Sequence, residues 1–163
     1  QLLITKADVE DPERHGNLVA TFEKLFSWHV IPIINENDAV AVEEIVYGDN
    51  DSLSAIVAVL VKAYALVILT DTDGLYDKNP REHPDARRIP VVERITDEIR
   101  AIAGGAGSNQ GTGGMVTKVR AAEIATNEGV RTYVINGSPA QNIYRLMDGE
   151  DIGTYFKAVN QHA

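Results

Sequence analysis

Ala65-Leu66-Val67-Ile68-Leu69 runs without interruption into Thr70-Asp71. Five consecutive apolar residues leave no polar face, so the segment predicts a strand buried on both faces, as in a parallel sheet covered by helices. Thr132-Tyr133-Val134-Ile135 repeats the pattern and stops at Asn136-Gly137. A third run, Val30-Ile31-Pro32-Ile33-Ile34, stops at Asn35, and its proline makes it a strand end or edge. Helical spacing fills the intervals. Asp11-Pro12 starts a helix with proline at its first position, and Leu18, Phe22, Leu25 and Phe26 form its expected core face. A second helix runs from about Ser52 to Lys62, with Leu53, Ile56, Val57 and Leu60 on one side. Ile95 to Ala103 reads as helix, and Val116, Val119, Ala122 and Ala125 line another that ends at Gly129; a short helix follows Pro139. Residues 72–94, with Pro80, Pro84 and Pro90, form a polar excursion. The alternation predicts an α/β, three-layer αβα sandwich with a mainly parallel sheet.

Composition narrows the function classes. The 163 residues carry a net charge of −9, which argues against non-specific nucleic-acid binding. Any anionic ligand then needs local help from lysine, backbone amides or a metal ion. There is no cysteine, so disulfides, thiolate metal sites and cysteine nucleophiles are excluded. No apolar run reaches the length of a membrane span and no signal peptide opens the chain, so the cytoplasm is the expected compartment. Gln1 begins in mid-pattern without an initiator methionine, and Asn160 to Ala163 reads as a tail, which together predict a piece of a longer protein.

In parallel α/β sheets, ligands bind at the carboxyl ends of the strands. Asn35, Asn37 and Asp38 follow one predicted strand, Thr70, Asp71 and Asp73 the next, and Asn136 the third. Singly, each such residue is an ordinary turn former or cap; three strands ending alike point to one edge. Beside that edge the order predicts Gly111-Thr112-Gly113-Gly114-Met115-Val116-Thr117-Lys118. Backbone without Cβ packs N–H groups around an anion, the helix that follows adds its positive end, and Lys118 adds a full charge. The spacing differs from a P-loop, and a flexible loop with a surface lysine is the plain alternative. Gly48-Asp49-Asn50-Asp51-Ser52 is the second cluster. Asp51 or Asn50 would cap the helix beginning near Ser52, and the remaining side chains would be available to a substrate.

Asn35-Glu36-Asn37-Asp38-Ala39-Val40, Gly48 to Asp51, Leu69-Thr70-Asp71 with Gly74-Leu75-Tyr76, and Gly111 to Lys118 together resemble the amino acid kinase family, in particular its glutamate-phosphorylating kinases. The likeness extends through Gly153-Thr154-Tyr155-Phe156. It implies ATP-dependent phosphorylation of the L-glutamate γ-carboxylate, the first step of proline synthesis, with Mg²⁺ bridging the nucleotide phosphates. By the same likeness Asp38 and Asn50 bind glutamate. Thr70, Asp71, Thr112, Gly113, Gly114, Met115, Val116, Thr117 and Lys118 bind ATP. Lys118 stabilises the transferring phosphoryl group and Asp51 organises the charges around it; no side-chain metal ligand is expected. The likeness also implies a homo-oligomer, proline as a feedback inhibitor, and no nucleic acid or membrane as partner of this segment. It assigns residues 1–156 to a partial kinase domain and 157–163 to a tail. The family's opening strand, glycine loop, phosphate-contacting lysine and substrate serine have no counterpart, nor has the RNA-modification-type domain that often follows. The chain alone is therefore expected to be inactive. Alternatives are a nucleotide-binding module without turnover, a kinase of this fold acting on another small acid, and an assembly partner for a chain supplying the missing lobe.

Overall fold

The computed structural model describes residues 1–40, 49–104 and 114–159. Strands β1 (Leu2–Ile4) and β2 (Ile34–Glu36) pair in parallel, with Leu2 opposite Ile34. Strands β3 (Ala65–Thr70), β4 (Val91–Val92), β5 (Arg131–Asn136) and β6 (Thr154–Phe156) form a second sheet in the order β3-β5-β6-β4. β3 and β5 run parallel from Ala65 opposite Arg131 to Thr70 opposite Asn136, which brings both carboxyl ends to one edge. β6 is antiparallel to β5 and parallel to β4, so the ladders are mainly parallel, as expected. The helices are α1 (Lys6–Glu10), α2 (Pro12–Ser27), α3 (Asn50–Leu60), α4 (Asp97–Gly104), α5 (Met115–Asn127) and α6 (Asn142–Met147).

Local chemistry explains the helix starts. Asp11 accepts from the backbone N–H of Glu13 and Arg14 at 3.1 and 2.9 Å, and Pro12 occupies the next position, where no amide is needed. α3 begins two residues earlier than its apolar spacing predicts. Its cap is Asp49, not Asn50 or Asp51: the Asp49 carboxylate accepts from Ser52 N at 2.6 Å and Ser52 Oγ at 2.9 Å. One residue satisfies the helix end, so Asn50 and Asp51 are left to other partners.

The core lies between the second sheet and the α3–α5 pair. Ala55 and Ala58 on α3 and Ala121, Ala122 and Ala125 on α5 are buried, and their small side chains let the two helices approach closely. Leu66, Ile68, Val134 and Phe156 meet them from the sheet. β5, in the sheet interior, is buried on both faces, with Thr132, Val134 and Ile135 fully covered.

Several expectations fail for one reason, the position of an element in the sheet or bundle. β3 is an edge strand, and only its Leu66–Ile68 face is covered; Val67 and Leu69 are 37% and 47% exposed. On α2 only Phe22 is buried, while Phe26 stacks on it from an exposed position. Val116 of α5 is exposed as well. The strand expected over Val30–Ile34 starts at Ile34 and continues through Asn35 to Glu36. Val91–Val92 and Thr154–Phe156, too short to show a period, become strands by pairing with each other.

Candidate active site

The N-terminal ends of α3 and α5 come together, and an ion pair joins them. Lys118 Nζ stands 3.0 Å from Asp51 Oδ2, with side chains only 9% and 15% exposed. The same oxygen accepts a hydrogen bond from Thr117 Oγ1 at 2.6 Å. Asp51 lies in the first turn of α3, where the helix dipole favours a negative charge. Lys118 lies near the N-terminal end of α5, where the dipole disfavours a cation, and the Asp51 carboxylate beside it offsets that.

Two cavities open near the two helix starts, lined by sequence neighbours of the pair and not by Asp51, Thr117 or Lys118 themselves. One, of about 440 Å³, is bounded by Thr70 and Asp71 at the end of β3, by Lys78 and Arg81, and by Gly104, Gly114 and Met115 at the facing ends of α4 and α5. The other, of about 590 Å³, is lined by Asn35 of β2, by Asn50, Leu53, Ser54 and Val57 of α3, and by Leu66 of β3. Asn50 of the second cavity adjoins Asp51, and Lys118 is about one turn beyond Gly114 and Met115 of the first. The first cavity thus reaches the start of α5 and the second the start of α3. The first presents Lys78, Arg81 and Asp71 together with the helix end, the second amides and apolar side chains suited to a small polar molecule.

Of the predicted site residues, Thr70, Asp71, Gly114 and Met115 line the first cavity, Asn50 lines the second, and Asp51, Thr117 and Lys118 meet one another at the helix starts. Asp38 stands in an exposed turn just after β2. Gly48, Gly111, Thr112 and Gly113 lie outside the described residues. Among the described residues no group of three His, Cys, Asp or Glu side chains is placed to hold a metal ion. The Gly114 end of α5 and the Lys118 ammonium are the groups of this site suited to an anion.

Other residues shape the first cleft without having been singled out by sequence. Arg81 donates to Asp71 Oδ2 at 2.7 Å and Lys78 to Asp85 at 2.5 Å, so the polar excursion forms a wall held by exposed ion pairs. Thr154, fully buried, accepts from Leu75 N at 2.8 Å and donates to Ile89 O at 2.7 Å, fastening the loop after β3 to β6. Gly74, at φ +126°, makes room for that hydroxyl; a Cβ there would lie 2.6 Å from Thr154 Oγ1. Gly153, at φ +68°, passes so close to β5 that a Cβ would meet Val134 O at 2.4 Å. The Gly-Thr pair was visible in the sequence, but its partners lie about 65 to 79 residues away in the chain and carry no local signal.

Residues 1–136 match the model of the amino acid kinase family. The chain is 54% identical over 158 residues to glutamate 5-kinase of Haemophilus influenzae (strain PittEE), covering 97% of this chain and 43% of that protein. Glutamate 5-kinase of Deinococcus radiodurans is likewise 54% identical over 158 residues, covering 97% and 44%. The chain therefore spans under half the length of these curated relatives. Among solved structures, an isopentenyl phosphate kinase substrate complex superposes with a TM-score of 0.62 at 20% identity, over 85% of this chain and 52% of that one; at that identity the likeness concerns the fold. With the family model covering most of the chain and relatives alike along nearly all of it, this protein belongs to the amino acid kinase family.

Proposed function

We propose that this chain is the nucleotide-binding and part of the glutamate-binding portion of a glutamate 5-kinase, which transfers the γ-phosphoryl group of ATP to the γ-carboxylate of L-glutamate. The observation that carries this reading is the Asp51–Lys118 pair at the meeting of the α3 and α5 N-termini, with one cavity reaching each helix start through Asn50 and through Gly114 and Met115. The identity of the curated relatives supports glutamate as the acceptor.

In this reaction a γ-carboxylate oxygen bonds to the γ-phosphorus as the bond to the β–γ bridging oxygen breaks. The electron pair leaves with ADP, and the product is glutamyl 5-phosphate. The acceptor is ionised at neutral pH, so no proton has to be removed. Catalysis then rests on alignment and on neutralising charge. Thr70 and Asp71 position the nucleotide from the end of β3, and Thr112, Gly113, Gly114, Met115, Val116 and Thr117 are assigned to ATP by the family likeness. Lys118 neutralises the transferring group, and Asp51 holds Lys118. Asn50 and Asp38 take the amino acid. Mg²⁺ would be held by the nucleotide's phosphates and not by side chains among the described residues, and would supply further charge neutralisation.

The same reading places the protein at the entry to proline synthesis, in the cytoplasm, with proline as a feedback ligand and a homo-oligomer as the working form. It treats residues 1–156 as part of a kinase domain that is incomplete for turnover by itself. No helix among the described residues is long and apolar enough to cross a membrane. The test is glutamate-dependent ADP release, measured on this chain and on the intact polypeptide carrying it. Turnover in the intact protein, dependent on glutamate and absent from the chain alone, supports the reading. ATP turnover indifferent to glutamate in the intact protein would overturn it.

A further inference from the structure

We infer that Thr117 is a positioning residue, whose hydroxyl fixes the Asp51 carboxylate so that Lys118 is held toward the transferred phosphoryl group; this rests on the kinase reading above. A threonine hydroxyl has one hydrogen and here two acceptors, Asp51 Oδ2 at 2.6 Å and Gly114 O at 2.7 Å. Gly114 O already accepts from the Thr117 backbone N–H at 3.2 Å. A carboxylate is the stronger acceptor, and charge-assisted bonds are shorter and roughly twice as strong as neutral ones. The hydrogen therefore goes to Asp51.

The consequence is geometric. Asp51 Oδ2 receives the hydroxyl from one residue of α5 and the ammonium from the next, at 2.6 and 3.0 Å. Two bonds on one oxygen define the carboxylate orientation where a single ion pair would leave it free to rotate. Thr117 is β-branched, and in a helix its side chain divides between rotamers according to the acceptors within reach. With Asp51 across the α3–α5 contact, the interhelical bond selects the rotamer. The ammonium then sits at a fixed place relative to Gly114 and the helix end. Flexible lysine alone would sample several positions, and misplacement of a charge by about 1 Å can cost about a hundredfold in rate.

The alternative within the same site is that the Thr117 hydroxyl touches the nucleotide itself, as the family likeness implies for the glycine loop as a whole. The two roles differ in what they change. A hydroxyl acting through Asp51 and Lys118 affects the transition state, and so kcat; a hydroxyl bound to ground-state phosphate affects KM for ATP.

The experiment uses the intact polypeptide and compares wild type with Thr117→Val, Thr117→Ser, Asp51→Asn and the Thr117→Val/Asp51→Asn pair. Expected is a fall of about tenfold in kcat for Thr117→Val with KM for ATP within about twofold of wild type. Thr117→Ser should stay within about twofold in both. In the Asp51→Asn background, Thr117→Val should cost less than about twofold more, because its target is already lost. Urea unfolding of wild type, Thr117→Val, Asp51→Asn and the double variant checks that the Thr117–Asp51 coupling exists in the fold. A raised KM for ATP with unchanged kcat would overturn the inference, as would additive effects of the two substitutions on kcat. If the unfolding cycle shows the coupling but wild type has no glutamate-dependent turnover, the kinase reading is refuted, and the catalytic role falls with it.

Discussion

Lys118→Met in the intact polypeptide removes the charge of Lys118 while nearly conserving side-chain volume. The structure sets two magnitudes. In the ground state Asp51 loses an ammonium at 3.0 Å in a site where it is only 15% exposed. Breaking a fully buried pair by removing one partner costs about 3–5 kcal/mol. Asp51 keeps its Thr117 hydrogen bond and its place at the α3 N-terminus, and residual solvent contact screens it further, so a loss of about 1–3 kcal/mol is expected. In the transition state the loss is larger in effect, because a preorganised charge in such a site is worth about 10²–10³ in kcat. Two assays separate these effects: urea unfolding for the fold, and glutamate-dependent ADP release for the chemistry. Adding Asp51→Asn to Lys118→Met removes the unpaired charge, so it should restore most of the stability and none of the turnover. Near-normal turnover in Lys118→Met would refute the assignment of Lys118 to the phosphoryl group. Recovery of turnover in the double variant would show that Lys118 matters only as the counter-ion of Asp51.

Asp38→Asn should raise the apparent KM for glutamate much more than that for ATP, and equal effects on both would return Asp38 to a structural turn. Thr154→Val leaves the buried Leu75 N–H and the part-buried Ile89 carbonyl without their Thr154 partner, so urea unfolding should show a loss of about 2–6 kcal/mol at about 1–3 per group; a loss under about 0.5 kcal/mol would mean the loop after β3 re-pairs elsewhere. Asp8 accepts from the Thr5 hydroxyl at 2.7 Å and Thr5 N at 2.8 Å, and the hydroxyl foremost holds its carboxyl below the usual range. A lowered folded value stabilises the fold above the unfolded pKa of about 3.9. The deficit of Thr5→Ala should therefore be complete at neutral pH and shrink as pH falls from about 4 through the lower folded value, and a pH-independent deficit would contradict the pairing.

The β3 and β5 runs were legible because a fully apolar segment has few places to go in a soluble protein, and both ended where their sequences turn polar, at Thr70 and Asn136. The Asp11-Pro12 start was equally local, since a cap and a proline act within three residues. Gly114 to Lys118 and Asn50-Asp51 could be picked out as candidates because residue type and spacing carry chemistry. What the sequence could not supply was which neighbour each element meets. Apolar periodicity states that a face is suited to burial, and only the packing decides whether something covers it. So Val67, Leu69 and Phe26 stay exposed while Ala55 and Ala122, small side chains, are fully buried in the core. The cap of α3 fell to Asp49 because one carboxylate can reach Ser52 N, a choice among three adjacent polar residues that spacing does not make. The pairing of Asp51 with Thr117 and Lys118 spans 66 and 67 residues of chain. Sequence alone placed suitable groups at two helix starts; the tertiary structure brought those starts together, because the alanine faces of α3 and α5 bury apolar surface only when the helices lie side by side.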